Sequence, residues 1–299
     1  VSFLLMPFIL LEKVLVGLPG YWSWAMPATL KTWWLVRSGK IDLVYSTGGA
    51  WSAILAGWWV KKLTGVRWIV EVHDPLVHRG EKINTSTKND RFQAWLEKKI
   101  CQDADLVWWF TEGALEYAKG RNPELGERGF FVMAGSEKLA VKAVYKKSKE
   151  ISFNHFGSLS DTRSLAPFLR DCLTFCGLHP EALEALKINV FGVLNLDAEA
   201  SKLVASEPRL QKMLVLHGRL ERDSVTGMSG RERVCQEMSR SDLLLLIHGQ
   251  NSWCEEYIPS KVYEYFWAGR PVFGLTYHNA QLDQLITERG GYVARSGDS

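Results

Sequence analysis

The sequence predicts an α/β chain of two domains, each built on a parallel sheet, and three observations predict it. Across residues 242–275 an apolar run (DLLLLI), a polar loop, a helix-length segment and a second apolar run (PVFGL) follow one another as strand, loop, helix and strand; parallel strands need a crossover of that kind. Similar alternation of short apolar runs with longer helical segments extends to either side, which argues against a repeat or an all-α protein. Residues 134–150 interrupt the alternation with Lys138, Lys142, Lys146, Lys147 and Lys149 in a polar stretch that reads as a solvated linker. The 299 residues, 46% of them apolar, suffice for a core on each side of that linker. The expected domains are therefore residues 1–140 and 150–299.

Residues 1–18 are strongly apolar but are broken by Pro7 and by Glu12-Lys13, and Tyr21, Trp22, Trp24, Trp33 and Trp34 follow. The proline and the charged pair argue against an uninterrupted membrane span, and the basic start and cleavage site of a signal peptide are missing. An interfacial helix and a core helix packed on the sheet are the two readings of this segment. Residues 41–47 read as a strand entering the turn Gly48-Gly49, with a helix over 51–63. Residues 66–72 (VRWIVEV) are a second strand, ended by His73-Asp74-Pro75. A helix at 96–100, a strand at 105–111, a helix at 115–120 and a strand at 129–133 complete the first half. In the second half, residues 151–156 run into Gly157-Ser158-Leu159, and residues 212–216 run into His217-Gly218-Arg219. Pro259 suits the first turn of a helix because its missing N–H is not needed there, and Gly269 with Pro271 ends that helix.

Charge and cysteine content exclude several functions. A net charge of +3 without a basic, aromatic-interleaved run disfavours nucleic-acid binding. The five cysteines are scattered, and no Cys or His group has the spacing of a zinc site, so reduced thiols are expected. The chemistry concentrates between residues 253 and 276, where Glu256 and Glu264 stand eight positions apart around Pro259-Ser260-Lys261. A helix start at the carboxyl end of a parallel strand attracts anions through free N–H groups and the helix dipole, so a diphosphate fits there. Lys261 adds a mobile positive charge, Glu264 offers two acceptor oxygens for a vicinal diol such as ribose, and Glu256 is placed to reach a sugar hydroxyl. The alternative is an exposed Lys261–Glu264 helical pair beside a solvated loop.

The spacing of Glu256 and Glu264, followed by Ala-Gly-Arg-Pro-Val, resembles the E-x7-E region of retaining GT-B glycosyltransferases of the glycogen-synthase-like, family 4 type. The Pro-Ser-Lys variant is similar to the branch found in bacterial capsule, O-antigen and exopolysaccharide pathways. The resemblance implies a GT-B fold: two Rossmann-like, doubly wound domains facing across a cleft. It also implies an enzyme that moves a sugar from a nucleotide donor, UDP-linked in expectation, to a saccharide or lipid-linked acceptor. Glu264 would bind the donor ribose and Glu256 would lie by the donor sugar. His73 looks like the family's strand-end histidine, with Thr47, Gly48 and Asp74 as acceptor-side neighbours. Gly157, Ser158 and Arg163 would meet the diphosphate, Ser158 standing where relatives carry a basic residue, and His217-Gly218 would lie near the base. Pro259, Ser260 and Lys261 would hold the leaving diphosphate without a cofactor or an essential metal.

The resemblance further implies a cytoplasmic protein, with peripheral contact on the inner membrane face as one reading. Relatives begin with a strand and glycine-rich loop before the position of Val1 and extend past Ser299, so the expected chain is short at both ends. A sugar-nucleotide epimerase of the same fold and a non-catalytic paralogue that binds a partner or a membrane are the alternatives.

Overall fold

The computed structural model describes residues 22–77, 87–192 and 195–295, and the chain divides into two units, Val1–Met133 and Ala134–Ser299. The apolar segment at 1–18 lies outside the described residues, so neither reading of it is decided.

The first unit runs α1 (Trp22–Arg37), β1 (Leu43–Thr47), α2 (Trp51–Thr64), β2 (Arg67–Val72), α3 (Lys88–Asp103), β3 (Leu106–Trp109), α4 (Glu112–Arg121), a 3-10 turn (Pro123–Arg128) and β4 (Gly129–Phe131). Its sheet has the order β1-β2-β3-β4, all parallel. Trp68, Val70 and Val72 alternate into the core beside Leu96, Ile100, Val107 and Trp109. The fully buried Trp68 indole donates to Ser46 Oγ (3.0 Å), whose hydroxyl donates to the Ala53 carbonyl (3.1 Å), so one chain of bonds ties β2, β1 and α2. The packing is close enough that a Cβ on Gly57 would stand 2.2 Å from that Ser46 oxygen. Expected and observed boundaries differ where caps act. Thr87 and Asp90 form a reciprocal capping box, so the helix expected at 96–100 begins at Lys88. Thr111 accepts from Ala114 N, which ends the expected 105–111 strand early and starts α4 at Glu112.

The second unit runs β5 (Ile151–Phe156), α5 (Ala166–Leu178), α6 (Ala182–Ala185), β6 (Leu186–Phe191), α7 (Ala198–Ser206), α8 (Pro208–Met213), β7 (Leu214–Gly218), α9 (Gly230–Arg240), β8 (Leu243–Ile247), a 3-10 turn (Ser252–Glu255), α10 (Lys261–Ala268), β9 (Val272–Thr276), α11 (Ala280–Glu288) and β10 (Tyr292–Arg295). All neighbours are parallel, in the order β10-β9-β8-β5-β6-β7. The chain builds outward from β5 to one edge, returns to β8, and builds to the other. That is the doubly wound Rossmann order, and its reversal falls between β5 and β8, where such sheets bind ligands. Ladder pairing between those two strands ends at Asn154–Leu244, and the rings of His155 and Tyr265 take over, both bonding to the Leu245 carbonyl at 3.0 and 3.4 Å.

The lysine-rich stretch is more than a solvated linker. Its lysines are exposed as expected, but Leu139 is buried in the second unit's core and the Ser136 carbonyl accepts from Trp267 Nε1. Tyr145 donates to Asp242 at 2.5 Å while Arg270 lies 3.5 Å over the Tyr145 ring. Without helix or strand, the segment follows the second unit as a strap; its Leu and Tyr anchors are too widely spaced to read as an element.

Partial burial pushes the Asp242 carboxyl up, but hydrogen bonds from Tyr145 and Ser152 and the charge of Arg270 outweigh it and hold the group below its ordinary value. With the folded value below the unfolded one, this stabilisation is complete above the ordinary carboxylate range and is lost as pH falls through it. The urea midpoint of the wild type is therefore expected to fall below about pH 4 more steeply than that of Asp242→Asn, measured by far-UV circular dichroism across pH 3–7.

Candidate functional site

The carboxyl ends of β5, β6 and β7 carry three glycines at positive φ: Gly157 at 127°, Gly192 at 112° and Gly218 at 64°. They continue the sheet past its strands, Gly157 N donating to the Phe191 carbonyl and Gly192 N to the Gly218 carbonyl, both at 2.7 Å. Gly192 lies so near Gly157 that an added Cβ would meet its Cα at 3.0 Å. This flat backbone shelf floors a cavity of about 460 Å³, walled by Leu220, Glu221, Arg222, Ser229, Gly230 and Arg231 on one side and by Lys261 and Glu264 on the other.

Lys261 opens α10 and reaches across the end of β5. A Cβ on Gly157 would stand 2.2 Å from Lys261 Cε and 2.3 Å from Nζ, so the ammonium passes directly over the glycine. Burial draws the Lys261 ammonium below its ordinary value; Glu264 opposes that, and the positive charges of Arg163 and Arg231 add to it. An anion in the cavity relieves this penalty, so the site favours a negatively charged ligand. Two helices begin at its walls: α10 at Lys261, and α9, whose start is fixed by the capping box of Ser229 and Glu232.

Glu264 lines the cavity as expected, but its carboxylate is held by Arg231 in a two-point clamp, Nη2 to Oε1 at 2.9 Å and Nη1 to Oε2 at 3.0 Å. The expected Lys261–Glu264 alternative pair is not the one the structure forms. Arg231 and Arg222 are missing from the sequence reading, and Arg219 enters it only as part of a turn. The Ser-x-x-Glu signature of Ser229 and Glu232 was the available signal, since it puts residue 231 in a first helical turn.

The other expected residues distribute around this cavity. Gly157 floors it. Ser158 is exposed beyond it, and its hydroxyl supplies no positive charge. Arg163 stands at the reversal between β5 and β8, its Cγ facing Gly249, and its charge acts on His155, His248, Cys254 and Lys261 alike. Pro259 and Ser260 form the entry to α10, where the Pro259 carbonyl accepts from Val262 N; the helix begins two residues after the expected position. Glu256, 1% exposed, follows the 3-10 turn and is buried.

His217 stacks on Phe191 with centroids 4.3 Å apart, and Phe191 on Phe156 at 4.7 Å. Partial burial draws His217 below its ordinary value, so the neutral ring donates through Nε2 to Asn189 Oδ1 at 2.9 Å. Asn189 donates in turn to Asn154, and Asn154 to Ser241. Gly218 contributes its carbonyl to Gly192. His217 and Gly218 thus brace the shelf from the next strand.

In the first unit, His73 follows β2 and its Nε2 meets Glu71 Oε1 at 2.6 Å, while its ring faces Phe110 at 5.1 Å. In the neutral ring with Nε2 donating to Glu71, Nδ1 is the acceptor. That nitrogen faces Gly49, where an added Cβ would be 3.8 Å away. Gly48 presses on the end of β2, its would-be Cβ 2.4 Å from the Glu71 carbonyl. Thr47 and Asp74 are exposed beside it. His73, Thr47, Gly48 and Asp74 therefore gather at the carboxyl ends of β1 and β2. Among the described residues no group of three or more His, Cys, Asp or Glu side chains is arranged to hold a metal ion.

Residues 11–125 match the model of the glycosyl transferase 4-like domain. Over that stretch, part of the first unit, the chain is similar to this domain. The wider likeness is structural: Anabaena HepE in complex with UDP superposes with a TM-score of 0.58 at 16% identity, covering 91% of this chain and 69% of that one. Trehalose 6-phosphate synthase from Burkholderia multivorans gives 0.57 at 9% identity, covering 89% and 64%. A point mutant of S. aureus TarM, in complex with UDP among other molecules, gives 0.53 at 11%, covering 81% and 44%. No curated protein matches the chain. Together with the two parallel α/β units, these findings bear out the GT-B fold, and the match over residues 11–125 agrees with the expected class of enzyme, a glycosyltransferase.

Gly157→Ala should displace Lys261 and strain the backbone at a positive φ, at a cost of about 1–3 kcal/mol. The expected outcome is a lower melting temperature together with weaker binding of inorganic pyrophosphate by calorimetry; unchanged affinity would separate Lys261 from the anion site.

Proposed function

We propose that the chain transfers a sugar from a UDP-linked donor to a saccharide acceptor, with retention of anomeric configuration, in surface-polysaccharide assembly. One observation carries this reading: Lys261 lies over Gly157, and both line one cavity with Glu264, beside the reversal of strand order. Lys261, the helix starts and the nearby Arg163 offset the charge of a diphosphate, and Glu264 accepts from the ribose hydroxyls. HepE and TarM, both solved in complexes with UDP, support the choice of base.

In the transfer, the bond from the anomeric carbon to the diphosphate oxygen breaks, an acceptor oxygen bonds to the same face, and the acceptor proton passes to the leaving phosphate. Charge builds on that phosphate, where Lys261 and the N-terminal ends of α9 and α10 stabilise it most. No protein nucleophile is needed, and these cations take the part that a metal plays elsewhere. Glu256 positions the donor sugar. His73, oriented by Glu71, polarises the acceptor hydroxyl.

A lipid-linked acceptor at the cytoplasmic membrane face is supported by α1. Trp24, Met26, Leu30, Trp33 and Trp34 are exposed along it, and the ammonium groups of Lys31 and Lys40 stand 4.8 and 4.5 Å from the Trp34 ring. Aromatic rings with flanking cations suit an anionic lipid surface. No helix among the described residues is long and apolar enough to cross a membrane.

In thermal unfolding with UDP, GDP, dTDP and CMP, UDP should raise the melting temperature most. Lys261→Met and Glu264→Gln should each weaken UDP binding by about 1.5–3 kcal/mol, the range for a hydrogen bond to a charged group. Stabilisation by no nucleotide would sink the donor site. For the membrane, Trp33→Ala with Trp34→Ala should reduce co-sedimentation with vesicles containing phosphatidylglycerol; equal sedimentation would remove α1 from the proposal.

A further inference from the structure

We propose that Arg231 is a positioning residue that sets recognition of the donor's ribose diol through Glu264. The inference rests on the donor-site reading above. A free glutamate at the end of a flexible side chain presents its oxygens in many orientations, and ordering it on binding costs affinity. Here both oxygens are already engaged by the planar Arg231 fork at 2.9 and 3.0 Å. A carboxylate has about four acceptor lone pairs; the fork takes one on each oxygen and leaves one on each. Two oxygens in a fixed plane, each with one open acceptor, match two adjacent hydroxyls, and they match a single hydroxyl less well.

The clamp is itself anchored by the start of α9. The capping box of Ser229 and Glu232 fixes the start of α9, with Ser229 N donating to Glu232 Oε2 at 2.7 Å. Gly230 presses that start onto the neighbouring loop: a Cβ there would stand 2.1 Å from the Leu220 carbonyl. Arg231 therefore leaves a helix whose first turn cannot shift, and it crosses to Glu264 on α10, 33 residues later. The guanidinium has five N–H donors, of which the clamp uses two, so it also keeps its charge directed at the cavity. A Lys at 231 would supply the charge but not the plane.

The test is calorimetric binding of UDP and 2′-deoxyuridine diphosphate to the wild-type chain, R231M and R231K. The wild type should prefer UDP by about tenfold or more, the loss expected when an acceptor on a charged group goes unpaired. R231M should reduce that preference to less than about threefold, with UDP losing more than the deoxy compound. R231K should recover affinity for both nucleotides without recovering the preference, and it carries the test if R231M fails to fold by circular dichroism. A preference kept in R231M would show that Arg231 does not set it, and one kept in R231K would show that charge without the planar fork suffices; either would overturn the inference. A wild type that binds both nucleotides equally would also overturn it, leaving the donor site intact. A wild type that binds neither would overturn the donor-site reading and the inference with it.

Discussion

Lys261 can lie across the end of β5 because residue 157 has no side chain. The constraint is steric before it is electrostatic: any Cβ at that position would occupy the space of the lysine's Cε and Nζ. The neighbouring strand ends obey the same limit, since Gly192 rests against Gly157 and donates its own hydrogen bond to the Gly218 carbonyl. Three adjacent strands thus end in backbone that lies flat, in conformations that residues with a Cβ rarely adopt. The cavity, the reach of the lysine and the approach of Glu264 all follow from that shelf.

The shelf needs rigid support where the sheet reverses its order, because β5 and β8 stop pairing after Asn154 and Leu244. Buried histidines supply part of it. Burial draws both His155 and His248 down to about 4, so each ring is neutral near pH 7 and works as a hydrogen-bonding spacer, without charge. His155 bonds to the Leu245 carbonyl, while His248 bonds to the Tyr257 carbonyl and meets Tyr277 N at 3.4 Å. On the side of β6 and β7, the ring stack of Phe156, Phe191 and His217 and the amide chain through Asn189 and Asn154 do the same work. Apart from the buried His155 Nε2, polar groups in these chains are paired to one another, which makes the arrangement specific as well as stable.

Two carboxylates show how position divides roles. Glu264 and Glu97 each receive a two-point arginine clamp, from Arg231 and Arg121 respectively. Glu97 is buried, and Asn122 takes a further place on its carboxylate, so it serves as structure. Glu264 is partly exposed on a cavity wall and has room for another partner. Identical chemistry becomes scaffold or site according to what the surrounding chain leaves open.

The sequence by itself determined the alternation of strands and helices, the crossover at 242–275, and the placing of Lys261 and Glu264 in one helix start beyond a strand. Those features rest on local rules: apolar periodicity, proline and glycine punctuation, and the anion affinity of a helix start. Tertiary structure decided the rest, because those facts depend on distance across the chain. Arg231 stands 33 residues before Glu264, and no local pattern joins them until α9 and α10 come to line one cavity. Gly192 had no motif of its own and mattered only once β6 lay beside β5. The lysine-rich strap read as a linker because its anchors, Leu139 and Tyr145, acquire meaning only from the core and the Asp242 carboxylate that they meet.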